Sequence, residues 1–206
     1  MGNTFTDAQA ATGATRLVSL DDVKTYLGVT ADTDNTLIGQ MIDAAQEAME
    51  KYAGRHFLNA TVTEYLNGTG KRTLFLQEPP DGGDSGVTSI YVDSARAWAA
   101  ANLIDSDDYQ VDSGDCCVHY LDHIWTMGQR NVRVIYTAGF ATVPDDLEFA
   151  CRIQVAALYS AWGMAKQAKD ILESESVEGW TQKFLKRKGL MVEVGEICDR
   201  YVPARL

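Results

Sequence analysis

Val132-Arg133-Val134-Ile135-Tyr136-Thr137-Ala138-Gly139-Phe140, followed by Val143-Pro144-Asp145-Asp146-Leu147, sets a strand, a glycine turn and a helix start in one short stretch. Val132, Val134 and Tyr136 repeat with a period of two, which puts them on one face of a strand. Gly139 can take the positive φ of a sharp turn, and Pro144 suits a first helical turn, where an N–H has no intrahelical partner. Asp145, Asp146 and Glu148 add negative charge at the positive end of the helix dipole. The helix predicted from there to about Met164 carries Leu147, Ala150, Cys151, Leu158, Ala161 and Trp162 on one side and Phe149, Ile153, Ala156 and Ala157 on another. Such a helix needs cover on several sides.

Upstream, Ser19-Leu20-Asp21-Asp22 reads as a helix cap with an acidic first turn, opening a short helix that stops at Gly28. A longer helix follows the turn at Ala31–Asn35 and ends near Ala53. Its apolar residues Leu37, Ile38, Met41, Ile42, Ala45, Ala48, Met49 and Tyr52 recur at three- and four-residue steps. Beyond it the period changes to two. Val62, Glu64 and Leu66 alternate with Thr61, Thr63 and Tyr65, and the turn Asn67-Gly68-Thr69-Gly70-Lys71 leads into Thr73–Leu76, which predicts a hairpin. Short strands are expected at Val87–Val92, Tyr109–Val111 and Cys117–Tyr120, and a last helix at Met191–Tyr201.

These elements predict an α+β fold: a helical bundle core with a small antiparallel β unit inserted between the second and third long helices. The expected organisation is a mobile N-terminal arm at 1–18, a discontinuous helical core at 19–57 and 140–206, and a β-rich insert at 58–139. Residues 186–206 form a C-terminal docking segment.

The net charge of −11 on 206 residues argues against a protein that grips DNA through its phosphates, which requires clustered Lys and Arg. The charge is uneven. Glu78 to Asp122 is rich in acids with the single base Arg96, whereas Lys183, Lys186, Arg187 and Lys188 cluster near the end. Opposite patches on one chain favour head-to-tail contact. No apolar run approaches the ~20 residues that span a bilayer, and the polar start lacks a signal peptide's regions, so the expectation is synthesis in the cytoplasm with no membrane partner. Four cysteines in a chain of this size are expected to be reduced thiols.

Cys116, Cys117, His119 and His123 are the one cluster with metal-ligating chemistry, but their spacing fits no usual zinc pattern. On a strand Cys117 and His119 would share a face and Cys116 would point away. Cys151 and Cys198 sit on apolar helical positions, where packing explains them. The Asp-rich turns lack the glycine and terminal glutamate of a calcium loop, and there is no phosphate-binding glycine loop, G-x-S-x-G or HExxH. No enzyme activity and no cofactor are expected.

Leu17-Val-Ser-Leu-Asp-Asp-Val-Lys-Thr-Tyr-Leu-Gly28, the long helix ending Tyr52-Ala-Gly-Arg55, and Val132–Gly139 with Val143-Pro144-Asp-Asp-Leu147 resemble the tailed-phage head-tail connector (adaptor) family. That resemblance implies a structural virion protein in the neck, made in the cytoplasm of a bacterial host. It implies a ring of copies, typically twelve, that docks under the portal protein and joins the capsid to the next neck or tail protein while duplex DNA passes through. Chain ends in that family resemble docking arms. Lys186, Arg187, Lys188, Leu190, Met191, Val192, Ile197, Tyr201 and Val202, an apolar stripe beside a basic cluster, are therefore the expected portal contact. Asp43, Glu47 and Glu50 on the second helix are expected to face the channel or the outer surface, because acidic walls repel phosphates and let the duplex slide. Another neck or tail completion protein, or a metal-binding enzyme built on Cys116, Cys117, His119 and His123, are the alternative readings.

Overall fold

The computed structural model describes residues 9–10, 15–172, 186–187 and 189–203. In chain order the elements are β1 (Gln9–Ala10), α1 (Leu20–Leu27), α2 (Asn35–Ala53), β2 (Ala60–Gly68), β3 (Thr73–Phe75), β4 (Val87–Val92), β5 (Tyr109–Asp112), β6 (Cys117–Tyr120), β7 (Gly128–Ala138), α3 (Asp145–Leu172), β8 (Lys186–Arg187), β9 (Leu190–Met191) and α4 (Val192–Asp199). The fold is α+β, with small antiparallel sheets. The chain divides into two compact units, a helical one formed by Arg16–Ala53 with Val143–Tyr201 and a β-rich one whose main body is Gly54–Thr142.

In the helical unit, α1 starts where the Ser19 hydroxyl accepts a hydrogen bond from the Asp22 N–H at 3.1 Å. It stops at Gly28, whose φ of 69° lets its N–H turn back to the carbonyls of Lys24 and Thr25. α2 buries Ile38, Ile42, Ala45, Met49 and Ala53 along one stripe. α2 packs on α3 and α4, α1 on α2 and α3, and α3 on α4. Leu17 and Val18, placed in the expected mobile arm, are instead buried. The Leu17 N–H donates to Gln46 Oε1 at 3.0 Å and the Arg16 guanidinium grips both carboxylate oxygens of Asp43, so the chain is fastened from Arg16 onward.

Two expectations about α3 need correction. It continues to Leu172, past the expected end near Met164, because Ala165–Leu172 are mostly good helix formers with neither Gly nor Pro among them. It is also covered on one side: Leu147, Ala150, Cys151, Gln154 and Val155 are buried, while Phe149 on the second apolar side is 47% exposed. Trp162 is half-buried against the Tyr159 ring.

In the β unit, β2 and β7 pair antiparallel from Ala60↔Ala138 to Leu66↔Val132, and β4 pairs with the other side of β7. The four-stranded order is β1-β2-β7-β4 and the three-stranded order β3-β6-β5. The hairpin expected between β2 and β3 is therefore absent, and these neighbours in sequence belong to different sheets. The Asn67–Lys71 turn is captured by β7 and the loop before it. The Gly68 N–H donates to Asn131 Oδ1, Gly70 N–H to the Trp125 carbonyl, and Trp125 N–H to the Lys71 carbonyl. A Cβ on Gly68 would come within 1.7 Å of the Thr126 carbonyl oxygen, so only glycine allows this approach.

One apolar core lies between the sheets. Val62, Val87, Ile90, Val132, Val134, Tyr136 and Ala138 come from the four-stranded sheet, and Leu74, Leu76, Tyr109, Val118 and Trp125 from the three-stranded sheet and its flanks. Trp125 is fully buried and still satisfied, because its indole N–H donates to the Arg72 carbonyl at 2.8 Å. At the end of β7, Gly139 turns at φ 91° with no room for a Cβ, which would lie 2.1 Å from the Leu58 carbonyl oxygen.

Candidate interaction surfaces

The C-terminal segment begins as a hairpin, β8 pairing with β9 through Lys186↔Met191 and Arg187↔Leu190. Lys188, one of the expected docking residues, lies outside the described residues. Leu190 is fully buried, and buried Gln154 of α3 fixes the turn by accepting from the Met191 N–H at 3.0 Å. Met191, Val192 and Ile197 are half-buried, Val194 and Cys198 are core, and Val202 is 44% exposed. Tyr201 donates its hydroxyl to Asp146 Oδ1 at 2.6 Å. The expected apolar stripe thus anchors the segment to its own unit through Leu190, while Val202 stands out.

On α2, Asp43 is ion-paired to Arg16, which holds its carboxyl below the usual range through the hydrogen bond and the nearby charge. Glu47 is exposed and Glu50 half-buried. Of the expected acidic face, Glu47 carries the least compensated charge.

The metal-ligating candidates do not converge. Cys117 Sγ and His119 Nε2 lie 3.4 Å apart on one face of β6, as period two requires, but the His123 ring packs edge-on to Tyr120. Cys116 precedes the strand with φ 52°, and burial pushes both thiols up. Among the described residues no three His, Cys, Asp or Glu side chains are placed to hold a metal.

Two features escaped the sequence reading. The first is a buried acid. Glu64 shares the inner face of β2 with Val62, as its place in the alternation implies, and is 6% exposed. Burial raises its pKa more than the hydrogen bonds from the Tyr136 hydroxyl and the Gln77 N–H lower it. Glu78, also buried, accepts from the His56 N–H at 2.7 Å and lies 2.8 Å from His56 Nδ1. These carboxylates spend their acceptors on the unit's own backbone and rings, which satisfies them without a ligand.

The second is on the outer face of the four-stranded sheet. Tyr65, Arg133 and Tyr91 form one cross-strand row over β2, β7 and β4. The Arg133 guanidinium lies 4.3 Å from the Tyr91 ring centre and 5.1 Å from that of Trp98, and Arg130 lies 5.3 Å from that of Tyr65. The Trp98 and Tyr65 rings meet at 5.5 Å. Residues spread along the chain from Tyr65 to Arg133 make this cluster, and sheet register with the Trp98 loop brings them together. The loop carrying Trp98 is built on Asp93, whose carboxylate accepts the N–H groups of Ala95, Ala97 and Trp98. Desolvation acts to raise that carboxyl's pKa, but the three N–H groups outweigh it and hold it below the usual range.

A family model for head completion proteins matches residues 16–201. The chain belongs to the head completion protein family. Membership makes it a structural viral protein of virion assembly and not an enzyme, in agreement with the connector resemblance. Among curated proteins no sequence matches it. Solved structures similar in fold include a chain from the virion of a native gene transfer agent particle, with TM-score 0.62, 16% identity and coverage of 97% of this chain and 96% of that one. Chains from the neck of the native particle computed with C12 symmetry and from the neck of the empty particle computed with C6 symmetry each give TM-score 0.61. Their identities are 16% and 15%, and coverage is 97% of both chains in each case. At such identities the likeness is one of fold. No described helix is long and apolar enough to cross a membrane.

Proposed function

We propose that the chain is a subunit of a ring in the neck of a tailed particle, seated under the portal and joining capsid to tail while duplex DNA passes. The observation that carries this reading is the full-length likeness in fold to chains of a particle neck, added to membership of the head completion family. Twelve copies is the proposed stoichiometry. The helical unit is the bundle-like body of each subunit, and the β unit is an insert that reaches neighbouring copies. Glu47, with Asp43 and Glu50, faces the channel or the outer surface, so that phosphates are repelled and the duplex slides.

The portal contact is assigned to the C-terminal segment. Leu190 anchors it, and Lys186, Arg187, Lys188, Met191, Val192, Ile197, Tyr201 and Val202 supply the docking surface. Because Leu190, Val194 and Cys198 are core residues, truncation there would open the helical unit, and charge substitution is the cleaner test. Electron microscopy of the chain mixed with portal protein should show a ring on the portal's narrow end. Lys186→Glu with Arg187→Glu should remove that ring from portals and leave the thermal unfolding of the subunit unchanged. Binding to isolated tails and never to portals would favour the tail completion reading instead.

A further inference from the structure

The charges of the β unit are segregated. Glu78 to Asp122 holds ten acids and one base, Arg96, while Arg130 and Arg133 lie on β7. Among the described residues none of the three arginines has an acidic partner. Arg133 Nε is shut off from solvent and has no hydrogen-bond acceptor, while Arg96 and Arg130 are exposed. Tyr65, Tyr91 and Trp98 frame the Arg130 and Arg133 guanidiniums, Arg96 lies on the same loop as Trp98, and this loop is held in place before any partner arrives. Arg96 and Trp98 sit at φ 58° and 54°, a region that costs energy for residues other than glycine, and the Asp93 carboxylate fixes their loop through three N–H groups.

The geometry points to a subunit contact: the Arg96/Arg130/Arg133 surface of one copy receives the acidic turn Asp105-Ser106-Asp107-Asp108 of the next. This rests on the ring reading above and names its contact surface. The turn leads into β5 of the three-stranded sheet, whereas the arginine surface is the outer face of the four-stranded sheet. Two complementary surfaces on different sheets make a heterologous contact, which passes from copy to copy and closes where the rotation per copy allows. Asp107 is exposed; its N–H donates to Asp105 Oδ1 at 3.1 Å, while its carboxylate has no hydrogen-bonding or ionic partner among the described residues.

Carboxylates are the better occupant than DNA phosphates for two reasons. Planar guanidiniums suit the two-oxygen fork of a carboxylate or a phosphate alike, but a duplex keeps its bases stacked and offers the half-buried rings nothing to pack on. A chain of net charge −11 also repels DNA as a whole.

Assembly of the full chain, followed by analytical ultracentrifugation, tests this. Arg96→Glu with Arg130→Glu should weaken self-association at least ~100-fold, and so should Asp107→Arg with Asp108→Arg, each with wild-type thermal unfolding. Mixing the two variants in equal amounts should restore closed assemblies, because acidic and basic surfaces again alternate around an even-numbered ring. A wild type that assembles while either variant assembles equally well, or a mixture that stays dissociated, overturns the contact and leaves the ring standing. A wild type that remains monomeric at all concentrations and on portals overturns both. Loss of duplex binding in the arginine variant with assembly intact assigns the surface to DNA and also overturns the proposal.

Discussion

The two units treat charge in opposite ways. The helical unit pairs its charges at home: Arg16 with Asp43, Lys24 with Asp32, Arg152 with Glu148 and Arg200 with Asp146. In the β unit, among the described residues, no Lys or Arg makes a salt bridge; His56 pairs with Glu78, Arg55 feels the charges of Glu78 and Asp81, and several acids take backbone N–H groups: Glu64 from Gln77, Asp84 from Val111, Asp93 from its loop and Asp112 from Gly114. A carboxylate bonded to its own turn fixes local geometry but leaves its charge uncancelled. The difference teaches that helix-face charges here serve the subunit's fold, whereas the β unit carries charge that its own fold does not need, as an assembling surface would.

The sharpest way to break this comparison is to ask what holds the β unit together without Lys or Arg salt bridges. If its apolar core does so, Trp125→Ala should cost about 3–5 kcal/mol, the usual penalty for emptying a large aromatic site. Urea unfolding is the check. A loss below ~1 kcal/mol would mean that the sheets are held by something other than their shared core.

Next in size is a pH effect of opposite sign in the two units. Burial raises the Glu64 carboxyl's pKa in the folded state, so its stability contribution is fully present below the ordinary glutamate value of 4.5 and is lost as pH rises through the folded value. Asp43 is held below 3.8, so its contribution is present above that value and is lost as pH falls through the folded one. Glu64→Gln should therefore gain melting temperature relative to wild type as pH climbs from 4 to 7. Asp43→Asn should lose its deficit relative to wild type as pH falls below 4. Parallel melting curves for Glu64→Gln and wild type at every pH would show that Glu64 carries no burial penalty.

The smallest effect bears on the ion pairs themselves. Asp43→Ala should destabilise by ~0.5–1 kcal/mol at low salt, discounted for the exposure of the pair, and by less at high salt. Asp107→Ala should change stability by no more than ~0.5 kcal/mol, because nothing in its own subunit depends on it. Equal costs at the two sites, measured by thermal unfolding at two salt concentrations, would erase the contrast.

Much of this was legible because it is local. The Ser19 cap, the Gly28 stop, the α2 stripe and the alternation of Val132, Val134 and Tyr136 follow from backbone geometry over a few residues. Glu64 was visible too, since period two places any residue between Val62 and Leu66 on their face. Its burial went unread because an acid is expected to face solvent, and only its partners Tyr136 and Gln77 reverse that expectation. Family membership could likewise be reached from the order of these blocks.

Tertiary structure alone decided that β2 and β3 part into different sheets, that one side of α3 stays open at Phe149, and that Tyr65, Tyr91, Trp98, Arg130 and Arg133 gather on one surface. Turn propensity can bend the chain at Asn67–Lys71 but cannot choose between strand partners. That choice depends on which pairing buries more apolar surface, and β7 offers β2 a longer inward-facing apolar row than β3 does. The sequence by itself determined the elements and their inward faces, because periodicity is a property of neighbouring residues. Pairing and outer surfaces had to wait for the fold, because they depend on free energy shared among residues far apart in the chain.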